Sequence, residues 1–194
     1  MYFKNTLLIV GLANPILKYN KTRHNVGAWC IQYLSDYYNV HLKKNTKFLG
    51  YTGSFFQFNI KVHLFIPNVF MNVCGQSILI ISNFYQIKTN EILIIHDELD
   101  INPGLIKLKC GCGHNGHNGV RNIINVLTKD NNFLRIQIGI GRPKVPMKIS
   151  DFVLSSPMVH EMFLIKKSIL NAVNVINILL KEKNILVAQK FLNK

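Results

Sequence analysis

Three polar clusters carry residue types suited to acid–base chemistry, and each follows a strand-like run in the 194-residue chain. The first runs from GLANP (11–15) to TRHNVG (22–27). Asn14 leaves the end of the run LLIVGL, where its amide can face a ligand. His24 is expected to open the following helix, where the local dipole disfavours a second proton and keeps the imidazole neutral. A neutral imidazole is what a general base requires. Capping that helix beside Asn25 is the plainer role for the same histidine. The second cluster, HDELD (96–100), holds Asp97, Glu98 and Asp100, three of the nine acids of the chain. Asp97 could accept a histidine ring N–H, fixing its tautomer and stabilising its charged form. It could equally hold Mg²⁺, or belong to an acidic turn before Pro103 and Gly104.

The third cluster, KCGCGHNGHNG (109–119), admits three readings. Gly111, Gly113 and Gly116 match G-x-G-x-x-G, a dinucleotide fingerprint, but lie mid-chain. Cys110, Cys112, His114 and His117 are metal-ligand types, yet four ligands in eight residues leave little loop for a tetrahedral site. The third reading is a glycine-rich loop that offers backbone N–H groups and Asn118 to an oxyanion or phosphate at a helix start. It suits the basic chain best, although Asn118 could serve only as an N-cap. In FMNVCG (70–75), Asn72 stands just before a helix, again as a cap or a ligand-facing amide. Neutral amides can bind a carbonyl, hydroxyl or water without competing as bases. No G-x-S-x-G nucleophile elbow is present, so direct attack by water is the more natural chemistry.

The elements that must hold these clusters follow from periodicity. Residues 7–12 and 92–96 are apolar without alternation, as in strands covered on both faces. Residues 48–58 and 60–66 look like paired strands turning near Asn59. Residues 105–109 alternate apolar residues with lysine, and 134–140 form another strand. Val26, Trp29, Cys30, Tyr33, Leu34 and Tyr37 recur at helical spacing, predicting a helix over 25–38. Further helices are expected at 75–86, at 118–128, along a face from Met158 to Leu180, and at 185–192. Strands alternating with helices predict an α/β fold: one domain over 1–194, with a mixed, largely parallel twisted sheet and helices on both faces. Sites in such sheets form at the carboxyl ends of strands, where the polar clusters stand.

A formal charge of +14, from 23 Lys and Arg against nine acids, favours a polyanionic partner. A residue composition rich in Asn, Ile and Lys would raise that charge in any protein, so charge alone does not decide the partner. No stretch reads as the roughly 20 apolar residues of a bilayer span, and 7–13 is too short for a signal peptide. A cytoplasmic protein with no membrane partner is therefore expected. Its four cysteines form no spaced framework and are expected to be reduced thiols.

Taken in order, GLANP, Tyr19, TRHNVG, FMNVCG, HDELD, GCGHNGHNG and GIGRP (139–143) resemble the bacterial-type peptidyl-tRNA hydrolase family. The resemblance implies an esterase that releases tRNA from peptidyl-tRNA without metal or other cofactor. It also implies a monomer with no obligate protein partner. His24 would be the catalytic base and Asp97 its support. Asn14, Asn72 and Asn118 would bind the peptide or position water, Tyr19 and Met71 would line the cleft, and Lys107 and Lys109 would face the tRNA. The chain departs from the family pattern at Ile16, Cys112 and Asn115, where glycines are usual. It departs also at Cys74 (commonly Ser), Asn122 (frequently Asp) and Gln137 (commonly Arg). A positive φ at 112 or 115 would strain cysteine far more than asparagine. A dinucleotide-dependent oxidoreductase on 111–116 and a non-catalytic RNA-binding domain are the rival readings.

Overall fold

The computed structural model describes residues 3, 5–111, 113–127 and 132–192. The strands are β1 (Thr6–Gly11), β2 (Lys43–Asn45), β3 (Gly50–Gln57), β4 (Ile60–Pro67), β5 (Ile92–Glu98), β6 (Ile106–Cys110) and β7 (Leu134–Gly139). They form a seven-stranded sheet in the order β2-β3-β4-β1-β5-β7-β6. The centre, β4-β1-β5-β7, is parallel. The margins turn back antiparallel, through β3 and β2 on one side and β6 on the other. The sheet is thus mixed with a parallel centre, as the alternation of strands and helices predicted.

Helices α1 (Val26–Tyr37), α2 (Cys74–Tyr85), α3 (Asn118–Leu127), α4 (Ile149–Val153), α5 (Val159–Glu182) and α6 (Ile185–Leu192) flank the sheet. Strand alternation sends Leu7, Ile9, Leu93, Ile95, Ile136 and Ile138 to one face, where they meet α1 and α5. Leu8, Val10, Ile92 and Ile94 face the other way, onto α2 and α3. Continuous apolar runs in β1 and β5 therefore follow from a sheet covered on both sides. The last residue expected in the 118–128 helix lies outside the described residues, as does Cys112.

By length and composition α5 is apolar enough to cross a membrane, with a mean hydropathy of 1.5, which corrects the sequence expectation that no stretch is. Half of that window is buried inside the molecule, and Ile165, Ala172, Val175, Ile176 and Leu179 belong to the core. Burial in the core explains its hydropathy.

Close approach brings α1 and its preceding turn onto the strand ends. A Cβ on Gly27 would lie 2.4 Å from the Ile95 carbonyl and 2.6 Å from the Leu12 nitrogen, so only glycine lets the helix start here. Across the sheet, a Cβ on Gly119 would meet Met71 Sδ at 2.5 Å, which sets the spacing of α3 against the 70–73 turn.

Candidate active site

Asp97 sits at the carboxyl end of β5, fully covered, and His24 reaches it from a 3-10 turn (Arg23–Asn25) before α1. His24 Nδ1 lies 2.9 Å from one carboxylate oxygen of Asp97 and 3.1 Å from the other. With Nδ1–H donating, Nε2 on the far side of the ring keeps the lone pair. Burial is the largest influence on His24 and disfavours its charge. The charge of Asp97 and its hydrogen bond together outweigh burial and hold the pKa above the ordinary 6.5. This corrects the expectation that a helix dipole dominates: His24 precedes the helix, and a buried carboxylate faces it. Burial likewise works against the Asp97 charge, but the two histidines hold its carboxyl well below the usual range.

The second histidine is His117, which the sequence offered only as a metal ligand. Its Nε2 lies 3.0 Å from the same Asp97 oxygen that His24 reaches. Its Nδ1 accepts the N–H groups of Gly119 and Val120, at 3.1 and 3.2 Å, so His117 caps α3. These bonds require a lone pair on Nδ1 and a proton on Nε2, so His117 is a locked donor with no free basic nitrogen. The cap also leaves the Asn118 side chain for other work. Asn118 lines a cleft of about 130 Å³ with His24, Asp97, Glu98, Asn115 and His117.

Some of the loop's backbone N–H groups are used within it. Gly116 donates to His114 Nδ1 at 3.0 Å and His117 to the His114 carbonyl at 2.8 Å, while Gly119 and Val120 serve the cap. Asn115 has φ +47°, a conformation that asparagine tolerates.

Asn14 is buried beside a second cleft of about 520 Å³, lined also by Asn25, Trp29, Leu42, Tyr51 and Ile66. The Asn25 amide clamps the Asn14 backbone, accepting its N–H at 2.9 Å and donating to its carbonyl at 3.0 Å. Asn14 Oδ1 accepts the Met71 N–H at 2.9 Å, so the side-chain NH₂ is turned to other partners. Met71 is buried between Asn14 and Gly119. Asn72 is exposed and Tyr19 half-buried, and neither lines these two clefts. Lys107 and Lys109 border a groove on the edge strand β6, on the sheet face that also carries Gln137 and Arg135. The structure thus joins His24, Asp97 and Asn118 in one cleft and puts Asn14 and Met71 beside a neighbouring one. Tyr19, Asn72 and the lysines stand apart. Asn25 and His117 are the positioning residues that the sequence reading missed, although both lie inside its quoted motifs.

Several departures from the family pattern have visible roles. Asn122 Oδ1 accepts the Gly75 N–H at 2.7 Å and ties α3 to α2. The Cys74 thiol donates to the Gly119 carbonyl at 3.7 Å. Burial pushes the thiols of Cys30 and Cys74 up to about 12, so neither is a nucleophile at neutral pH. Among the described residues one group of metal-ligand type exists, His24, Asp97 and His117, with ligand atoms within 4.8 Å of one another.

A family model described as peptidyl-tRNA hydrolase matches residues 8–194. The peptidyl-tRNA hydrolase of Buchnera aphidicola subsp. Baizongia pistaciae is 51% identical over 191 residues, covering 98% of this chain and 92% of that protein. The Pectobacterium carotovorum protein of the same name is 47% identical over 175 residues, 90% of each chain. The crystal structure of peptidyl-tRNA hydrolase from Acinetobacter baumannii superposes with a TM-score of 0.90 at 42% identity, covering 97% of this chain and 95% of that one.

Proposed function

The chain belongs to the peptidyl-tRNA hydrolase family and hydrolyses peptidyl-tRNA, and from that premise we propose that His24 is the general base that activates water. One observation carries this assignment: of the two histidines on Asp97, His24 alone has a ring nitrogen left for the reaction. Nε2 takes a proton from water as the oxygen attacks the ester carbonyl between the peptide and the terminal ribose. Asp97 holds the ring in the required tautomer and stabilises the imidazolium that forms. The carbon–oxygen bond to ribose then breaks, and the imidazolium returns its proton to the leaving oxygen. The products are a peptide acid and free tRNA.

The side-chain amides of Asn14 and Asn118 donate to the peptide carbonyls or the developing oxyanion. Met71 forms an apolar floor beside Asn14, while Asn72 and Tyr19 meet the substrate from the rim. Lys107 and Lys109 meet tRNA phosphates along β6. We assign no metal to the reaction: an ion held by these three side chains would break both hydrogen bonds from the histidines to Asp97. We assign the protein to the cytoplasm, working as a monomer with no cofactor. Incubation with a labelled N-blocked aminoacyl-tRNA tests the reading directly. Free tRNA should be released at an undiminished rate after prolonged EDTA treatment. Loss of activity restored by a divalent ion would contradict the mechanism.

A further inference from the structure

Glu98 neighbours Asp97 on β5 but points to the opposite face, buried at 5% exposure. Its Oε2 accepts Gln137 Nε2 at 2.6 Å and Asn115 Nδ2 at 3.1 Å. Its Oε1 lies 3.3 Å from the Asp100 N–H. Gln137 is itself buried in β7, and its Oε1 has no hydrogen-bond partner among the described residues. The carboxylate is therefore aimed by the sheet on one side and holds the loop on the other.

We propose that Glu98 and Asn115 form a latch that sets the 113–117 loop over the catalytic pair. The proposal rests on the hydrolase reading of the site. Adjacent acids of β5 grip the loop at two points: Glu98 takes Asn115, and Asp97 takes His117. Between them the chain is knitted into a turn by the bonds to His114, so fixing Asn115 fixes His117. Asn115 and Gln137 are both positions where the chain departs from the resembled family, and their amides end on the same oxygen. A glycine at 115 would offer nothing to hold. An arginine at 137 would occupy the carboxylate with its own charge. Asn115 and Glu98 touch no reacting atom in the mechanism above, so both are positioning residues.

His24 reports the state of the latch. Asp97 faces it from β5, His117 from the loop, and Glu98 lines the same cleft. Arg23, on its own turn, is turned away to Glu161 at 2.5 Å. If the loop loosens, His117 shares less of the Asp97 charge, more of it acts on His24, and the His24 pKa rises.

Asn115→Asp keeps the side-chain shape and tolerates the positive φ, but sets a second carboxylate against Glu98. A charge-assisted hydrogen bond is worth about tenfold or more in an equilibrium. The variant should lower kcat/KM by about tenfold, move its rising pH limb upward, and speed amide exchange at 116–119. The reciprocal variant Glu98→Gln/Asn115→Asp exchanges donor and acceptor and should return all three readouts to within about twofold of wild type. Asn115→Gly, which strains nothing, should show the faster exchange on its own. Wild-type exchange and pH limb in Asn115→Asp, or a double variant no better than the single, would overturn the latch. Amide exchange reads the loop without turnover, so it judges the latch even if the hydrolase mechanism is wrong.

Discussion

His24 and His117 lie with ring centroids 4.8 Å apart and meet on a single oxygen of Asp97, yet only His24 keeps a nitrogen for proton transfer. Capping of α3 is what separates them. The two N–H groups at the helix start occupy His117 Nδ1 and commit its other nitrogen to donation. Two chemically identical side chains thus receive different roles from the backbone around them.

With His24 as the proposed base, its protonation sets the pH dependence. Its pKa lies above 6.5, and the base form is the deprotonated one, so kcat/KM should rise with pH through that pKa and then level. Asp97→Asn removes the opposing charge and leaves the burial, so the rising limb should move to lower pH. At the same time kcat should fall by up to about 10⁴-fold, because the ring loses its tautomer lock. A pH–rate profile of the variant at saturating and limiting substrate reads both effects. A limb that stays in place would mean that Asp97 does not act on the titrating group.

Lys107 and Lys109 alternate with core residues and share one face of the edge strand. If both neutralise tRNA phosphates, Lys107→Ala/Lys109→Ala should raise KM with kcat nearly unchanged. The slope of log KM against log salt should flatten by about 0.7–0.9 per lost contact. An unaltered slope would place the tRNA elsewhere.

Acid should destabilise the fold through its buried neutral histidines. Burial, with the nearby positive charge of Lys61, pushes His63 down to about 4, and burial is the main cause that pushes His96 down to about 3. The unfolded chain binds protons at these sites near pH 6.5 while the folded one does not. Stability should therefore fall as pH drops from 6.5 towards 4. Thermal unfolding at several pH values measures the slope, which His63→Gln should reduce. Equal slopes in the two proteins would rule out His63 as a contributor.

Periodic elements and strand-end placement were legible in the sequence because each strand and long helix imposes its own spacing of apolar residues. Lys43–Asn45 and Ile149–Val153 are too short to show a period, and they went unread. At the site, Asp97 and His24 were readable from residue type and from the ordered motifs. The role of His117 was not, because it depends on a loop that carries the ring back to a carboxylate 20 residues earlier. The Asn25 clamp on Asn14 and the Glu98–Asn115 contact have the same origin: each is a side-chain bond made by backbone placement, with no local pattern to announce it.

The central claim, that His24 and not His117 is the base, is tested most directly by single-turnover ester cleavage in His24→Ala and His117→Ala under one set of conditions. A positioned general base contributes about 10²–10⁴-fold. His24→Ala should lose that much with tRNA binding intact, while His117→Ala should lose less and keep a pH-dependent rate whose rising limb lies higher than in wild type. Near-normal cleavage by His24→Ala, or a larger loss in His117→Ala, would contradict the account.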